Sequence, residues 1–371
     1  MTETTEAITV AICTYERHHL IKPLVEAVLA QDVPGGAKIT IIDNSTDQDA
    51  ATRFYTEAGL DKRINILRST PPGLSRARNL AVMLCTTPYI AFIDDDALPE
   101  PGWLAGLVEG FAAGPRVGVV GGPIDPVWPD GARPDWLSKD LEPLLSRLDA
   151  GADPCELPAG DHVFGANFAL CVAATQDVPG FAEQLGRTGD GTLMSCEELE
   201  VQDRMRQAGW SVRYAPTARV RHAVHADRLR RNWIRERMAW QAVSQMLQDP
   251  PSIDRQSALA TLRRLSLELD LAPALHRLFA DAPPAVFERQ VEFIHALLLT
   301  LLSARQSPES ELRTLCEPEE TSQLREALRR LELENETLRG GKPRALAGPD
   351  ASPGLGARLR RAWFGLLVGR D

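Results

Sequence analysis

The chain has 371 residues, of which 44% are hydrophobic and 25% are charged, values that are typical of globular proteins and exclude a wholly disordered chain. Its formal net charge of −10 argues against a dedicated nucleic-acid-binding protein, whose surface is normally basic. The six cysteines form no CxxC pair, which argues against a zinc ribbon and favours a reducing, cytoplasmic compartment. No basic segment precedes the first apolar run, and no apolar run reaches the ~20 residues of a membrane span, so we expect neither a signal peptide nor a spanning helix.

Short β-branched runs alternate with amphipathic stretches through the first third of the chain. Strands are predicted at 8–13, 38–43, 64–67, 89–94 and 117–122, and helices at 17–31, 49–58, 73–85 and 101–112. Strands separated by helices of this length form βαβ units. The pattern therefore predicts an α/β fold with a mixed, mainly parallel sheet flanked by helices.

The rest of the chain begins with a change of composition. Residues 123–160 are rich in Pro, Trp, Asp and Gly, which predicts a long excursion from the sheet. Within it, Trp128 and Trp136 are candidates either to stack on a ligand through their apolar faces or to anchor the loop. After the excursion, strands are predicted at 162–172 and 210–216, a helix at 197–208, and a wholly helical region at 228–316.

Three short segments follow the helical region. Residues 317–339 carry leucines at near-heptad spacing, which predicts either a short coiled coil, forming a homodimer through 319–339, or a helix packed on its own domain. Residues 340–354 have the composition of a flexible linker. Residues 355–371 are typical of a basic amphipathic helix, which is a candidate for contact with an anionic membrane surface or for docking on protein.

Three adjacent carboxylates, Asp94, Asp95 and Asp96, follow an apolar strand. Open α/β sheets bind ligands at the carboxyl ends of their strands. Adjacent carboxylates repel one another, and a bound divalent cation such as Mn²⁺ or Mg²⁺ removes that repulsion. Such a cation is usually coordinated by a substrate phosphate as well as by the carboxylates. The pattern favours a metal–diphosphate site over a solvated acidic turn before the next helix.

Seven motifs occur in order between residues 13 and 222. They are Cys13-Thr14-Tyr15-Glu16-Arg17, Ile42-Asp43-Asn44-Ser45, Gly73-Leu74-Ser75-Arg76-Ala77-Arg78-Asn79, Phe92-Ile93-Asp94-Asp95-Asp96, Phe164-Gly165-Ala166-Asn167, Glu197-Glu198 with Arg204-Met205-Arg206-Gln207-Ala208-Gly209, and Tyr214-Ala215-Pro216 with His222. Through these motifs, residues 7–245 resemble the inverting nucleotide-sugar glycosyltransferases of family 2, which have the GT-A fold. The resemblance implies a Rossmann-like nucleotide-sugar-binding and catalytic domain over residues 1–227, followed by a helical region at 228–316 that packs on it or serves the acceptor.

The resemblance also implies individual roles. Nucleotide-sugar binding is implied for Thr14, Tyr15, Glu16, Asp43, Arg76, Arg78, Asn79, Asp94, Asp95 and Asn167. Within that set, Thr14, Glu16 and Asp43 correspond to residues that hold the nucleobase and ribose. Arg76 and Arg78 are candidates for the base or diphosphate, and Asn79 is either structural or ligand-facing. Metal binding is implied for Asp94, Asp96 and His222.

The catalytic base is implied at the start of the helix at 197–208. Glu198 aligns with the family's base, a carboxylate that takes the proton of the acceptor hydroxyl as its oxygen attacks the anomeric carbon. The family usually has Gly-Glu-Asp here, whereas this chain has Cys196-Glu197-Glu198. Because the Glu side chain is one methylene longer than Asp, Glu197 remains a second candidate.

The resemblance implies a metal-dependent hexosyltransferase of cell-surface polysaccharide synthesis, cytoplasmic or peripheral on the inner face of the membrane. The donor would be a UDP-, dTDP- or GDP-sugar and the acceptor a glycan or lipid-linked hydroxyl. Arg231, Arg235 and Arg237 are candidates to contact an anionic lipid-linked acceptor or to form a solvated face.

Two other functions fit parts of the pattern. One is a non-catalytic module that binds a nucleotide-sugar or glycan and is recruited to membranes. The other is a sugar nucleotidyltransferase, whose usual Gly-rich loop after the first strand is replaced here by Thr14-Tyr15-Glu16-Arg17.

Overall fold

The structure is a computed structural model, which describes residues 6–61, 64–189, 191–248, 254–271 and 275–304. The chain divides into two compact units. Within the described ranges, an α/β unit comprises residues 6–134 and 139–229, and a helical unit comprises residues 135–138 and 230–304. The predicted leucine-rich helix at 317–339, the linker at 340–354 and the tail helix at 355–371 lie outside the described residues.

The described elements follow the predicted alternation. The strands are β1 Ile8–Thr14, β2 Ala37–Asp43, β3 Asn65–Arg68, β4 Tyr89–Asp94, β5 Ala97–Pro99, β6 Val117–Gly121, β7 Ile124–Val127, β8 Cys155–Glu156, β9 Asn167–Cys171, β10 Ser211–Tyr214 and β11 Val220–Ala223. The helices are α1 Ile21–Leu29, α2 Gln48–Glu57, α3 Leu74–Leu84, α4 Trp103–Ala112, α5 Glu197–Gln207, α6 Arg231–Gln248, α7 Arg255–Glu268 and α8 Pro284–Ala304.

The large sheet has eight strands in the order β3-β2-β1-β4-β9-β6-β10-β8. The first four are mutually parallel, β9 is antiparallel to both of its neighbours, and β6 and β10 are again parallel. This confirms the mixed, mainly parallel α/β sheet predicted from the sequence. Because β1, β2 and β4 are parallel neighbours, their carboxyl ends lie side by side, which gathers the first, second and fourth motifs at one edge.

Two apolar clusters cover the two faces of this sheet. Alternate residues of β1 point to opposite faces, so Ile12 belongs to one cluster and Ala11 to the other. Leu24 of α1 and Leu107 of α4 pack on the first face, and Met205 of α5 packs on the second. The strands are therefore buried on both faces, which explains their continuous apolar runs.

A second sheet of three strands, in the order β5-β11-β7, was not predicted. Its strands have only three or four residues, and β5 and β7 each contain a proline, which lowers strand propensity. Buried and more exposed residues nevertheless alternate strictly along residues 218–224. This alternation with a period of two is typical of a strand and indicates β11.

The predicted strand at 162–172 is shorter in the structure, where β9 begins at Asn167. The preceding residues hydrogen-bond to α5 instead of to a strand. Gln202 of α5 accepts from the amide of Val163 at 3.0 Å and donates to its carbonyl at 2.8 Å. Side chains of α5 thus satisfy backbone groups that a strand neighbour would otherwise satisfy.

The described part of the helical unit contains α6, α7 and α8 and no strand, as the sequence predicted. Its core includes Leu262 and Leu265 of α7 and Phe293 and Ala296 of α8. No helix within the described ranges is both long enough and apolar enough to cross a membrane.

Candidate active site

Three predicted metal-binding side chains meet at the end of β4. Asp94 is the last residue of β4, and the chain turns at once into β5. In the small sheet, His222 of β11 lies opposite Ala97 of β5, which brings its ring beside Asp96. Asp94, Asp96 and His222 each offer a ligand atom, and these atoms lie within 4.8 Å of one another. The unpredicted small sheet is therefore what completes this group.

Asp96 is surrounded by cationic or hydrogen-bonding side chains. Its carboxylate lies 3.1 Å from Nε2 of His222 and 3.0 Å from Nε2 of His225. Arg17 donates to it at 2.6 Å, and Arg228 lies at 3.8 Å. Burial alone would raise the pKa of Asp96, but the hydrogen bonds of the two histidines outweigh it and hold the pKa well below its usual range. Asp96 is therefore an anion at neutral pH.

Asp95 joins the end of β4 to the end of β1. Its carboxylate accepts a hydrogen bond from the hydroxyl of Thr14 at 2.7 Å and forms an ion pair with Arg17. Burial raises the pKa of Asp95 to about 7, against the charge of Arg17. Thr14 and Asp95 thus fix the chain that carries the metal-binding group, and both are buried.

The donor set of this group suits a divalent cation. Two carboxylates and one imidazole are oxygen and nitrogen ligands of the kind that bind Mn²⁺, and Mg²⁺ also prefers carboxylate oxygens. Asp94 remains partly exposed, and the Nδ1 atom of His222 is buried without a hydrogen-bond partner among the described residues. Arg17, whose side chain is 33% exposed, supplies positive charge to Asp96 in the structure. The residues therefore fit a cation that shares Asp96 with Arg17 or takes its place.

The predicted acid pair begins α5. Glu197 is buried and forms an ion pair of 2.7 Å with Arg78, whereas Glu198 is half-buried and accepts a hydrogen bond of 3.2 Å from the amide of Gly165. Burial, and then the neighbouring charge of Glu198, raises the pKa of Glu197 to about 7 against the charge of Arg78. Of the two carboxylates, Glu198 has the greater exposure to an incoming hydroxyl.

Arg78 connects the acid pair to the metal-binding group. Its guanidinium lies 2.7 Å from Glu197 and 3.6 Å from Asp94, and it donates to the carbonyl of Gly165 at 3.1 Å. A Cβ on Gly165 would lie 2.7 Å from Nη2 of Arg78, so a side chain there would displace the guanidinium from this position. Three aromatic rings surround the guanidinium at 5.3 to 5.8 Å. These rings are Phe92, Phe168 and Phe181.

The expected nucleotide-binding residues of the first motif lie at the end of β1. Glu16 has a φ of 56°, and its carboxylate accepts hydrogen bonds from the amide and hydroxyl of Thr46, both at 2.7 Å. These bonds, at the start of α2, lower the pKa of Glu16. Tyr15 packs on Gly189, where a Cβ would lie 2.6 Å from the ring atom Cζ.

Asp43, at the end of β2, has no exposed surface. It accepts hydrogen bonds from the amide of Ser45 at 2.8 Å and from Nε2 of His18 at 3.0 Å. Burial would raise the pKa of Asp43, but these bonds lower it. His18 keeps a side chain that is 13% exposed, so Asp43 orients His18, and His18 is the member of this pair with exposed surface.

The structure corrects the expectation that Asn167 binds the nucleotide-sugar. Its side chain is fully buried, and its amide oxygen accepts from the indole of Trp103 at 2.7 Å. Its amide nitrogen donates to the carbonyls of Pro123 and Ala218 at 3.1 and 2.7 Å. Asn167 therefore uses its hydrogen-bonding groups to join β9, α4 and the chain before β11, and it presents none to a ligand.

Two further predicted residues contact the loop that precedes α5. Asn79 donates to the carbonyl of Phe181 at 2.9 Å and accepts from its amide at 2.7 Å, which agrees with the structural alternative for this residue. Arg76 pairs with Glu183 at 2.7 Å and donates to the carbonyl of Pro71 at 3.2 Å. These contacts thus do not bring the side chain of Arg76 to the metal-binding group of Asp94, Asp96 and His222.

Four residues of the site were not predicted as functional: Arg17, His18, His225 and Arg228. Arg17 is the last residue of the first motif, His18 follows it directly, and His225 follows His222 by three residues. Proximity in sequence to a motif is therefore the signal that could have found three of the four. Arg228 reaches Asp96 from a short helical turn after β11, and no sequence pattern indicates that contact.

The geometry defines a class of protein. A parallel sheet with the strand order β3-β2-β1-β4 carries carboxylates and an imidazole at the carboxyl end of β4, and an acid pair on α5 is joined to them by one arginine. The mixed α/β sheet agrees with the GT-A fold that the resemblance implies.

Comparison with known proteins agrees. Residues 9–159 match the family described as Glycosyl transferase family 2. The chain is 27% identical over 263 residues to the glucosyl-dolichyl phosphate glucuronosyltransferase of Haloferax volcanii, which covers 68% of this chain and 81% of that protein. It is 31% identical over 205 residues to the pre-mycofactocin glycosyltransferase of Mycobacterium tuberculosis, which covers 54% of this chain and 40% of that protein. The comparisons therefore support a glycosyltransferase similar to family 2, with the family match itself lying in residues 9–159.

A solved structure with a similar chain path is the mannosyltransferase PcManGT from Pyrobaculum calidifontis in complex with GDP-Man and Mn²⁺. Its similarity covers 84% of this chain and 79% of that one, with a TM-score of 0.46 and 16% sequence identity.

Proposed function

We propose that this glycosyltransferase is an inverting, divalent-metal-dependent hexosyltransferase that uses a nucleoside-diphosphate sugar. The observation that carries the proposal is the position of Arg78, which lies 2.7 Å from Glu197 and 3.6 Å from Asp94. A group that stabilises a leaving diphosphate and a group that accepts a proton must flank the same anomeric carbon. One buried side chain that contacts both groups supports such a shared centre.

In this mechanism Asp94, Asp96 and His222 would hold Mn²⁺ or Mg²⁺. The cation supplies charge neutralisation to the departing nucleoside diphosphate. Arg17, His225 and Arg228 lie within 3.8 Å of the Asp96 carboxylate and can add hydrogen-bond donors for phosphate oxygens.

Thr14, Tyr15 and Glu16 would form the floor of the nucleotide site. Tyr15 offers a ring face beside Gly189, and Glu16 offers a partly exposed carboxylate at the start of α2. His18, oriented by Asp43, would present an imidazole N–H or lone pair to the nucleobase or ribose. These groups accept and donate hydrogen bonds at the ends of β1 and β2, where a nucleoside can bridge both strands.

Glu198 would act as the general base. It is half-buried, and the amide of Gly165 holds one of its oxygens, which leaves the other free of that bond to take the acceptor proton. Glu197 would orient the start of α5 through Arg78, because its own carboxylate is buried in that ion pair. Attack opposite the diphosphate inverts the anomeric configuration.

The acceptor is proposed to be a hydroxyl of a lipid-linked or free glycan at the cytoplasmic face of the membrane. The match to the Haloferax volcanii relative covers 81% of that protein. The name of the relative describes transfer onto glucosyl-dolichyl phosphate, which supports a lipid-linked acceptor. Contact of residues 355–371 with the membrane and a homodimer through 319–339 remain predictions from the sequence.

The test is a screen of the purified chain with UDP-, dTDP- and GDP-sugars, with Mn²⁺, with Mg²⁺ and with chelator. Thermal stabilisation reports donor binding, and released nucleotide reports transfer to water or to an added acceptor. We expect one donor class to stabilise the protein and to be cleaved only with metal.

Glu198→Gln separates catalysis from binding in the same screen. It should keep the thermal shift with donor and lower nucleotide release by about 10²–10⁴-fold, the range for loss of a general base. Glu200→Gln is the matched control, since Glu200 lies on the same turn of α5 but pairs with Arg204. Equal release by Glu198→Gln and the wild type would refute the assigned base, and metal-independent release would refute the metal.

A further inference from the structure

Two arginines of α6 converge on one aromatic ring in the helical unit. Arg231 and Arg235 are four residues apart, so they lie on the same face of the helix. The guanidinium carbons lie 4.8 Å and 5.1 Å from the ring centre of Phe287. Trp136 lies 5.3 Å from Arg231, and Phe279 lies 5.8 Å from Arg235. We call Arg231, Arg235 and Trp136 the arginine-pair site.

The arginine-pair site lacks matching negative charge among the described residues. Arg235 is 1% exposed, and its hydrogen bonds go to neutral oxygens, including Oδ1 of Asn232 at 2.9 Å and Oε1 of Gln290 at 3.2 Å. Arg231 has one carboxylate, Asp281, at 3.3 Å from Nε, but that carboxylate side chain is 93% exposed. Exposed pairs of this kind contribute little.

Two guanidinium nitrogens of the site are buried with no hydrogen-bond partner among the described residues. They are Nη1 of Arg231 and Nε of Arg235. Burial, reinforced by the charge of Arg231, lowers the pKa of Arg235 to about 10. Buried donors without partners are costly, so the site is incomplete as it stands.

The helix itself adds to the imbalance. Arg231 is the first residue of α6, which has 18 residues and no acidic residue in its first turn. The N-terminus of a helix carries a partial positive charge, and cations there are unfavourable whereas anions are favourable. Helical side chains point toward the N-terminus, so both guanidiniums are directed to this end. Backbone dipole, two arginines and unpaired donors therefore all favour the same kind of ligand.

We infer that the arginine-pair site binds a phosphate group, carried by the acceptor substrate, with Arg231 as its main ligand. A guanidinium binds a phosphate through two parallel N–H donors, which Arg231 has once Asp281 is displaced. The ring of Trp136 packs against the guanidinium of Arg231. The buried guanidinium of Arg235 adds a second positive charge to the site. The assignment of the phosphate to the acceptor rests on the proposed function; the phosphate site itself does not.

The first experiment measures binding of inorganic phosphate to the full, metal-free chain by calorimetry. Arg231→Gln should weaken the affinity about tenfold or more, since a hydrogen-bonded charge pair is lost. Arg237→Gln is the matched control, because Arg237 lies on the same helix but donates to Gln241 at 2.9 Å. The difference between the wild type and Arg231→Gln isolates this site from other phosphate-binding residues.

Asp281→Asn gives a change in the opposite direction. It removes the competing carboxylate and leaves every aromatic contact in place, so phosphate should bind about threefold more tightly. A purely structural role for Arg231 does not predict tighter binding. This variant also keeps the test valid if Arg231→Gln fails to fold. Unchanged affinity in Arg231→Gln, or unchanged or weaker affinity in Asp281→Asn, would overturn the inference.

A second arm identifies the source of the phosphate. Phosphatidylcholine vesicles containing a minor fraction of dolichyl phosphate are compared with vesicles containing the same fraction of phosphatidylglycerol. Retention that prefers dolichyl phosphate and is lost in Arg231→Gln assigns the site to a lipid-linked acceptor. Arg231-dependent binding of phosphate without that preference assigns it to a soluble phosphorylated acceptor.

The two proposals fail separately. If no nucleotide-sugar is cleaved but phosphate binding depends on Arg231, the proposed function fails and the phosphate site stands. If transfer occurs but phosphate affinity ignores Arg231 and Asp281, the site fails and the function stands.

Discussion

In the α/β unit the buried carboxylates at the end of β4 are met by cations, whereas in the helical unit the buried cations of α6 are met mainly by aromatic rings. Asp96 lies within 3.8 Å of Arg17, His225 and Arg228, and the first two keep about a third of their side chains exposed. Arg235 has rings and neutral oxygens around it. Asp96 therefore has positive charge beside it, while the arginine-pair site lacks a matching anion among the described residues.

The largest expected difference between the units is in stability. Arg78→Met leaves Glu197 buried without its partner, and removing one member of a buried ion pair costs about 3–5 kcal/mol of unfolding free energy. Arg235→Met leaves no buried carboxylate behind, so we expect a smaller loss. Urea denaturation of both variants measures the contrast.

The double variant Arg78→Met/Glu197→Leu is the control for this prediction. It removes both charges, so it should regain much of the stability that Arg78→Met loses. Equal losses for Arg78→Met and Arg235→Met would mean that the two units do not differ in how they compensate buried charge.

The next effect is on catalysis at the acid cluster. Asp96→Ala removes a metal-binding carboxylate and leaves Arg17, His222 and His225 without their shared anion. Because the charge on the leaving diphosphate is then poorly stabilised, we expect about a 10²–10³-fold loss of nucleotide release. The thermal shift produced by Mn²⁺ should disappear as well.

Asp125→Ala is the control for the metal prediction. Asp125 lies on β7 of the same small sheet but pairs with Arg219. It should keep both the release rate and the Mn²⁺ shift. A Mn²⁺ shift that persists in Asp96→Ala would show that the cation binds elsewhere.

A third prediction concerns pH and a neutral buried base in the helical unit. His295 of α8 lies 2.8 Å from the amide oxygen of Gln245, and burial lowers its pKa from 6.5 to about 4. The unfolded chain therefore binds the proton more readily between these values. Above about pH 6.5, His295 is neutral in both states and does not lower the unfolding free energy. As the pH falls toward 4, protonation of His295 in the unfolded chain lowers the unfolding free energy by roughly 3 kcal/mol.

The measurement is the unfolding free energy at pH 7 and pH 4.5 for the wild type and His295→Gln. The variant should show a shallower loss on acidification, because Gln does not titrate. An equal loss in both proteins would mean that His295 titrates normally in the folded state. Asp96 of the α/β unit behaves differently, because it is buried in its charged form and its pKa lies well below the usual range.

The sheet and the metal-binding residues could be predicted from the sequence for a physical reason. Strands buried on both faces appear in the sequence as continuous apolar runs. The end of one such run, β4, is visible in the sequence, and Asp94 and Asp96 can be located from their positions relative to that end. The small sheet could not be read from propensity, because β5 and β7 are short and contain proline. His222 was therefore expected from the resemblance alone, without the strand that positions it.

Contacts between distant residues set the limit of the sequence prediction. Arg78 and Glu197 are 119 positions apart, so their ion pair depends on the packing of α3 against the start of α5. The environment of Asn167 likewise depends on the indole of Trp103, 64 positions away. The resemblance implied a ligand contact for Asn167, whereas its side chain in the structure bonds to Trp103, Pro123 and Ala218.

The smallest expected effect compares backbone strain in the two units. Cys196 precedes α5 with a φ of 78°, and Asp270 follows α7 with a φ of 49°. The left-handed region is costly for residues with a Cβ, but Asp tolerates it better than Cys, and Asp270 also pairs with Arg277. Cys196→Gly relieves this strain but loses the buried sulfur, so its unfolding free energy should exceed that of Cys196→Ala, which loses the same sulfur and keeps the strain, by about 1 kcal/mol.

Cys196→Ala separates the backbone from the thiol in this prediction. Alanine keeps the Cβ and therefore the strain, and it loses the buried sulfur, so it should not stabilise the protein. Asp270→Gly should gain less than Cys196→Gly, because it also loses the pair with Arg277. Urea denaturation of the three variants gives the order directly. Equal values for Gly and Ala at position 196 would mean that the start of α5 stores no strain, and that the departure from the family's glycine has no cost there.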